Sequence, residues 1–432
     1  MEIYENTTIY ITCPAGKVSG GPELLHQLCS ELLRRGLHAF MWYPDAEADK
    51  IPQPKVYRKY LVPIAEVLSD RPENIVVLPE TMGELYGNLH EIRKVFWWLS
   101  VDNYRSSLAQ VLLRYSEFYD TLTLVDNLFC FYPDLQMEHW VQSEYARQFV
   151  HANHVDDAQV HFVGDYLQSA AHLKELTDGT AHSAARQDIV AYNPKKGLEF
   201  TKQLMAAAPD IAWTPIEHMT AEEVHALLAR AKCYIDFGNH PGQDRIPREA
   251  AAAGCCVITG RRGAAANDID IPIPASYKFA DDASSIPAIL DTIRACLHDY
   301  AAHTRDFESY RTMIAGQKAK FRRDVAAALP VRCDVPERQH VVLQNGPHTE
   351  KLLPALLQSG GIDLVALWIA DDADDSITAV QAGDRTIPTI RFSELAFLYQ
   401  EDRIDAIVLD SADPPKDASR LVAAGIPETI FC

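Results

Sequence analysis

Short, continuous apolar runs alternate with amphipathic helical stretches along nearly the whole chain, and no other feature narrows the fold as far. Residues 7–13 (TTIYITC), 74–79 (NIVVLP), 94–99 (KVFWWL), 121–125 and 139–142 form one series of such runs. Residues 188–192, 211–216, 233–237 and 255–259 (CCVIT) form a second, and 340–344, 363–369 and 406–409 a third. The stretches between them carry apolar residues three and four apart. In residues 22–35, for example, Leu24, Leu25, Leu28, Leu32 and Leu33 share a face and Gly36 stops the helix. Thr220 followed by Glu223 is a capping box at the start of another helix. A strand apolar on both faces must be covered on both, so the alternation predicts parallel sheets sandwiched by helices.

At 432 residues the chain is too long for one core of ordinary size. The polar stretch 178–187 (DGTAHSAARQ) reads as a linker. The expected organisation is α/β with three Rossmann-like units: residues 1–177, residues 188–330 ending in two long helical patterns, and a smaller unit at 333–432. Apolar residues at 47% and charged residues at 23% exclude wholesale disorder. A net charge of −20 argues against a nucleic-acid partner, which needs clustered positive charge. No run of eighteen apolar residues exists, so no transmembrane segment is expected and any membrane association would be peripheral. The opening MEIYENTTIY lacks the basic start and cleavage site of a signal peptide. Nine cysteines without a CxxC spacing fit neither a zinc framework nor a disulfide scaffold, so a reduced, cytoplasmic protein is expected.

The charge is unevenly spread. Residues 333–432 hold seven basic and seventeen acidic side chains, half of the net charge, whereas residues 193–262 hold nine basic and eight acidic. An anionic ligand is therefore expected in the middle of the chain. There the run YIDFGNHPGQDRIPREAAAAGCCVITGRRG (residues 234–263) leads from a strand through a glycine- and proline-bearing loop into a helix. Arg245 and Arg248 sit in that helix's first turn, where the helix dipole disfavours cations unless an anion lies between them. The alternative pairs them with Asp244 and Glu249 as a solvated network. Asn193-Pro-Lys195-Lys196-Gly197 lies after the first strand of the same unit, at the sheet edge where open α/β folds bind ligands.

These residues resemble the nucleotide-binding half of GT-B glycosyltransferases, in particular bacterial polysaccharide enzymes, lipopolysaccharide synthesis among them. Lys195, Lys196 and Gly197 match the family's basic–Lys–Gly contact to the diphosphate. Arg248-Glu249-Ala-Ala-Ala-Ala-Gly254 before CCVIT matches its Glu-Ala-x-Ala-x-Gly helix. The resemblance implies that Glu249 accepts hydrogen bonds from a ribose and that Lys196 is a phosphate cation. Gly20-Gly21-Pro22-Glu23 is similar to the acceptor-side glycine loop, and Gln142-Ser143-Glu144-Tyr145 to the last strand and helix of that half. The implied fold is two Rossmann-like lobes of GT-B type over residues 1–330, with a third small α/β domain added. The implied partners are a nucleotide-diphosphate sugar and a saccharide acceptor.

One departure matters. The family pairs two glutamates eight apart, and eight before Glu249 stands Pro241. Its loss opens a second reading, a nucleotide-sugar-binding protein or scaffold that performs no transfer; a nucleotide-sugar epimerase is a third. For a transferase, Asp102 or His240 is the candidate base for the acceptor proton. Asp102 lies in WWLSVDNY (residues 97–104), where Trp97 and Trp98 are expected in the core and Asp102 is alternatively a helix cap; Glu80 is a further candidate for that cleft. The only DxD-type pair of the second unit, Asp268-Ile-Asp270, reads as loop, which agrees with an enzyme needing no metal or other cofactor. In the third unit, Gln344-Asn-Gly-Pro-His348 has one glycine where a dinucleotide turn needs close approach, so this domain is expected to serve packing or a protein partner.

Overall fold

The computed structural model describes residues 1–47, 50–120, 123, 128–131, 137–167, 186–374, 377–383 and 385–432. The expected strand at 121–125 falls largely outside them, as does most of the linker at 178–187. The chain divides into two compact units: a terminal unit of Ile3–Ile75 with Val331–Cys432, and a central unit of Val76–Pro330 with Met1–Glu2.

The terminal unit opens with β1 (Ile9–Thr12), α1 (Gly20–Arg34), β2 (Ala39–Trp42) and β3 (Ile64–Ala65), in the order β3-β2-β1 and all parallel. The α1 leucines behave as their spacing predicts, with Leu24, Leu25, Leu28 and Leu32 buried.

The central unit has two sheets. The first contains β4 (Ile75–Pro79), β5 (Arg93–Trp98), β6 (Glu138–Val141) and β7 (Val160–Phe162) in that order, with α2 (Val101–Tyr115) after β5 and α3 (Glu144–Ala152) after β6. Trp97 and Trp98 are fully buried core residues. The Trp97 indole N–H donates to the Val163 carbonyl at 3.1 Å, and that of Trp98 to His139 Nδ1 at 3.1 Å. The second sheet contains β8 (Gln187–Tyr192), β9 (Ala212–Pro215), β10 (Ala231–Asp236) and β11 (Cys256–Thr259), all parallel in the order β11-β10-β8-β9. Helices α4 (Leu198–Ala207), α5 (Ala221–Arg230) and α6 (Arg245–Ala252) link these strands. The capping box of α5 forms as the sequence predicts. The expected pair of long closing helices is α7 (Ile286–His298), a single turn α8 (Tyr300–His303), and α9 (Glu308–Ala328).

The terminal unit resumes with β12 (Gln339–Gln344), α10 (Thr349–Gln358), β13 (Ile362–Trp368), β14 (Ala379–Ala382), β15 (Arg385–Ile390), α11 (Phe392–Gln400), β16 (Ala406–Val408) and α12 (Pro414–Ala423). The sheet order is β14-β15-β13-β12-β16, parallel except for the β14–β15 hairpin, which the apolar-run pattern did not anticipate.

Side chains explain why the units mix distant segments. Phe397 of α11 packs edge-on to Tyr60 at 5.3 Å, and buried Arg403 donates to the Ser30 hydroxyl at 2.8 Å and the Tyr60 carbonyl at 3.2 Å. In the central unit α9 returns to β7, with Lys320 over the Phe162 ring at 4.0 Å and Phe321 against Tyr166 at 5.3 Å. Composition records none of these long-range contacts.

Candidate functional site

The second sheet of the central unit presents three loops at its C-terminal edge, after β8, β10 and β11. The first two interlock through glycines. Gly197 adopts φ +60°, and a Cβ there would lie 2.6 Å from the Phe237 carbonyl oxygen; a Cβ on Gly238 would lie 2.3 Å from Lys196 Cβ. The third loop joins them through the bridge between His240 and Gly263. Lys195, Lys196, Arg245, Arg261 and Arg262 are thereby gathered on one edge.

Asp244 is the N-cap residue of α6, yet its side chain does not cap the helix. It accepts instead from Lys196 Nζ at 2.6 Å and faces His240 Nδ1 at 3.0 Å. Burial works to raise the Asp244 pKa, but the His240 contact and the Lys196 charge outweigh it and hold the carboxyl below its usual range. The first-turn N–H groups of α6 are left without a side-chain cap, at the positive end of the helix dipole. Arg245 is partly exposed there, with Nε 3.6 Å from Glu249 Oε1 on the next turn. Lys195 is exposed, its backbone fixed by an N–H bond to Asn193 Oδ1 at 3.0 Å.

Two expected site residues are placed differently. Arg248 is 1% exposed, and all five guanidinium N–H donors are taken up inside the protein. Nη1 and Nη2 make a bidentate pair with Asp165 at 2.7 and 2.8 Å, and the rest go to Gln317 Oε1 and the carbonyls of Gln243 and Asp244. Arg248 therefore joins the two sheets and has no donor left for a phosphate. His240 is fully buried, with Nδ1 toward Asp244 and Nε2 3.6 Å from Asp236 Oδ1, so neither ring nitrogen faces an acceptor hydroxyl. It is a positioning residue for the β10 loop. Asp236 completes the inner side of this network, accepting from the Tyr234 hydroxyl and the Gly238 N–H, each at 2.9 Å.

The two sheets of the central unit meet at this edge. Asp102, in the first turn of α2, accepts from Asn239 Nδ2 at 2.7 Å, and the Tyr145 hydroxyl lies 3.4 Å away. The helix cap is Ser100, not Asp102, since the Ser100 hydroxyl accepts the Asn103 N–H at 3.1 Å. Gly242 lies so close that a Cβ would be 2.8 Å from the Leu99 carbonyl oxygen. Behind Asp102, Glu80 is buried and accepts the Leu99 N–H at 3.0 Å; burial pushes its pKa up to about 8 despite backbone donors that oppose it. Asp270 is also buried and caps α3, accepting the N–H groups of Glu144 and Tyr145 at 2.8 and 3.0 Å, while Asp268 pairs with Lys278 at 2.9 Å. Both aspartates of the DxD-type pair thus have structural partners. Among the described residues no cluster of three His, Cys, Asp or Glu side chains is arranged to hold a metal.

Arg261 and Arg262 were not singled out as site residues in the sequence. Their signal was the pair of cations between Gly260 and Gly263 at the end of β11. Arg261 Nε donates to the Lys278 carbonyl at 3.0 Å, and Arg262 pairs with Asp281. Gly20 and Gly21 open α1 in the terminal unit, where the Ser19 side chain makes no cap hydrogen bond.

No protein-family model matches the chain, and no curated protein matches it. Among solved structures it is similar to Anabaena HepE in complex with UDP, at 12% identity and TM-score 0.47, over 74% of this chain and 99% of that one. It is also similar to sucrose-phosphate synthase from Thermosynechococcus elongatus, at 12% identity and TM-score 0.48, over 75% and 100%. An alpha-glucosyltransferase in complex with UDP matches at 10% identity and TM-score 0.40, over 72% and 95%. No helix among the described residues is long and apolar enough to cross a membrane.

Proposed function

We propose that the central unit binds a nucleotide-diphosphate sugar and transfers the sugar to a saccharide hydroxyl without a metal. The observation carrying this reading is the cluster of Lys195, Lys196 and Arg245 around the uncapped start of α6, with Glu249 one turn further on. A diphosphate seated there meets ammonium and guanidinium groups and the positive end of the α6 dipole. Glu249 would accept hydrogen bonds from the ribose. As the acceptor oxygen attacks the anomeric carbon, the bond to the diphosphate oxygen breaks and its electron pair leaves with the diphosphate. The cations stabilise that growing charge, the part a divalent ion plays elsewhere. Asp102 takes the hydroxyl proton once Asn239 is displaced from it.

The test is thermal stabilisation by UDP-, GDP- and TDP-sugars, with a CMP-sugar, which has one phosphate, as the control. A ligand at a hundredfold excess over its Kd adds about 2.7 kcal/mol. Parent protein should respond to one of the diphosphate sugars, and Glu249→Ala should not; an equal response in both overturns the site assignment. The second reading, binding without transfer, is favoured by Pro241 in place of the first glutamate. Release of free nucleoside diphosphate that depends on Asp102 separates the two.

A further inference from the structure

The terminal unit contains a cavity of about 1220 Å³ at the edge where β12, β13 and β15 begin, walled on the other side by the end of α1. We infer that this cavity is an anion site for a small phosphate- or carboxylate-bearing molecule, with Arg403 at its base and Arg338 and Arg385 at its mouth.

Arg403 is the first observation. It is 5% exposed, and Nη1 donates only to neutral groups among the described residues: the Ser30 carbonyl and hydroxyl and the Tyr60 carbonyl. Its Nε is buried without a hydrogen-bond partner among the described residues. Glu31, Asp363 and Glu401 act on it through space, and none forms an ion pair with it within 4.0 Å among the described residues. A buried guanidinium without a carboxylate partner is costly unless an anion reaches it.

Charge segregation is the second. This cavity and an adjoining one of about 780 Å³ are lined by eight of the sixteen lysines and arginines of the terminal unit, but by only six of its twenty-six acids. A unit carrying a net charge of −10 thus lines these two hollows with more cations than acids, although Arg34 pairs with Glu31 and Arg385 lies 3.7 Å from Asp363. The place is the opposite edge from the crevice that open α/β sheets ordinarily use, so the fold alone does not account for it.

Pyrophosphate and glucuronate are the probes, titrated calorimetrically into the full chain carrying Lys195→Ala and Arg245→Ala, which disables the proposed nucleotide site. At least one should bind, pyrophosphate marking a phosphate ligand and glucuronate a sugar carboxylate. Adding Arg338→Ala and Arg385→Ala, both exposed positions, should weaken that binding at least tenfold with the melting temperature unchanged. Arg403→Gln should abolish it. If neither probe binds, or if binding ignores the mouth arginines, the site is refuted. Because the nucleotide site is already disabled, failure here leaves the proposed transferase reading untouched.

Discussion

Two strand–loop–helix edges in this molecule share a topology and treat the helix start in opposite ways. After β10, the Asp244 carboxylate turns away from α6 toward Lys196 and His240, and the first turn of α6 stays uncapped. After β12, buried Asp410 reaches across from the end of β16 and fills the start of α10. It accepts the His348 N–H at 2.8 Å, His348 Nδ1 at 3.0 Å and the Thr349 hydroxyl at 2.9 Å. Gly346 leaves no room either, since a Cβ there would overlap the Asp410 carbonyl oxygen. A built-in carboxylate occupies the seat that a phosphate would need. On the proposed reading, a Rossmann-like edge serves as a ligand site only where the protein leaves the helix start without a carboxylate cap.

The largest effect belongs to the bond that holds the cationic edge against the first sheet. Arg248→Ala leaves Asp165, whose side chain is 11% exposed, without its bidentate partner. The expected cost is about 3–5 kcal/mol, read as a lower urea midpoint. A loss under about 1 kcal/mol, together with a vanished nucleotide response, would return Arg248 to the ligand.

Glu80 comes next and carries a pH signature. Its folded pKa of about 8 lies above the unfolded value, so its contribution to stability is full below about pH 4 and is lost as pH rises toward 8. Glu80→Gln keeps an acceptor for the Leu99 N–H and removes the ionisation. The variant should gain melting temperature over the parent at pH 8 and lose that advantage at pH 5; identical profiles would show the carboxyl to be solvated. Because this group anchors the loop leading to Asp102, the same variant should alter kcat more than KM if transfer occurs.

Asp410→Ala should cost about 1–3 kcal/mol, the penalty for leaving buried donors unmet. Burial tends to raise the Asp410 pKa, but the Thr349 and His348 hydrogen bonds prevail and lower it. Its stabilising contribution is thus present above the unfolded carboxylate pKa and is lost as pH falls through the lower folded value. Parent and variant should stay apart down to about pH 4 and converge only in stronger acid, as pH falls through the lower folded value. Persistent separation in acid would mean that the cap is not ionic.

The alternation of apolar runs and helices was readable because strand period and helix caps are local properties. Thr220 with Glu223, and the α1 leucines, needed no knowledge of distant residues. The roles of Arg248 and His240 were not readable, since both depend on partners the sequence does not place. Asp165 stands 83 residues from Arg248, and buried His240 is bridged to Gly263 beyond the end of β11. A cation in the first turn of a helix signals an absent negative charge, but it does not say whether a ligand or the protein supplies it. Arg248 shows the protein supplying it through Asp165, whereas Arg245, one turn earlier and 3.6 Å from Glu249, is the cation that the proposed site would give to a ligand. Segment pairing was equally hidden, because Arg403 meets Ser30 across 373 positions.

The smallest expected effect on the fold is the sharpest test of the contrast. Lys195 is exposed and Arg245 partly so, with its Nε 3.6 Å from Glu249 on the same helix. Lys195→Ala with Arg245→Ala should shift stability by no more than about 0.5 kcal/mol. The same pair should erase the thermal response to the nucleotide sugar, because two cations at the helix start are removed while the uncapped N–H groups remain. If those N–H groups suffice, the response survives and the helix dipole, not the side chains, holds the anion. Salt discriminates further: a response carried by these cations should weaken steeply between about 50 and 200 mM salt, since interactions between exposed charges are screened within about 10 Å at 0.1 M. A seat lined by backbone donors should weaken less, and the difference in slope between parent and double variant measures what the two side chains supply.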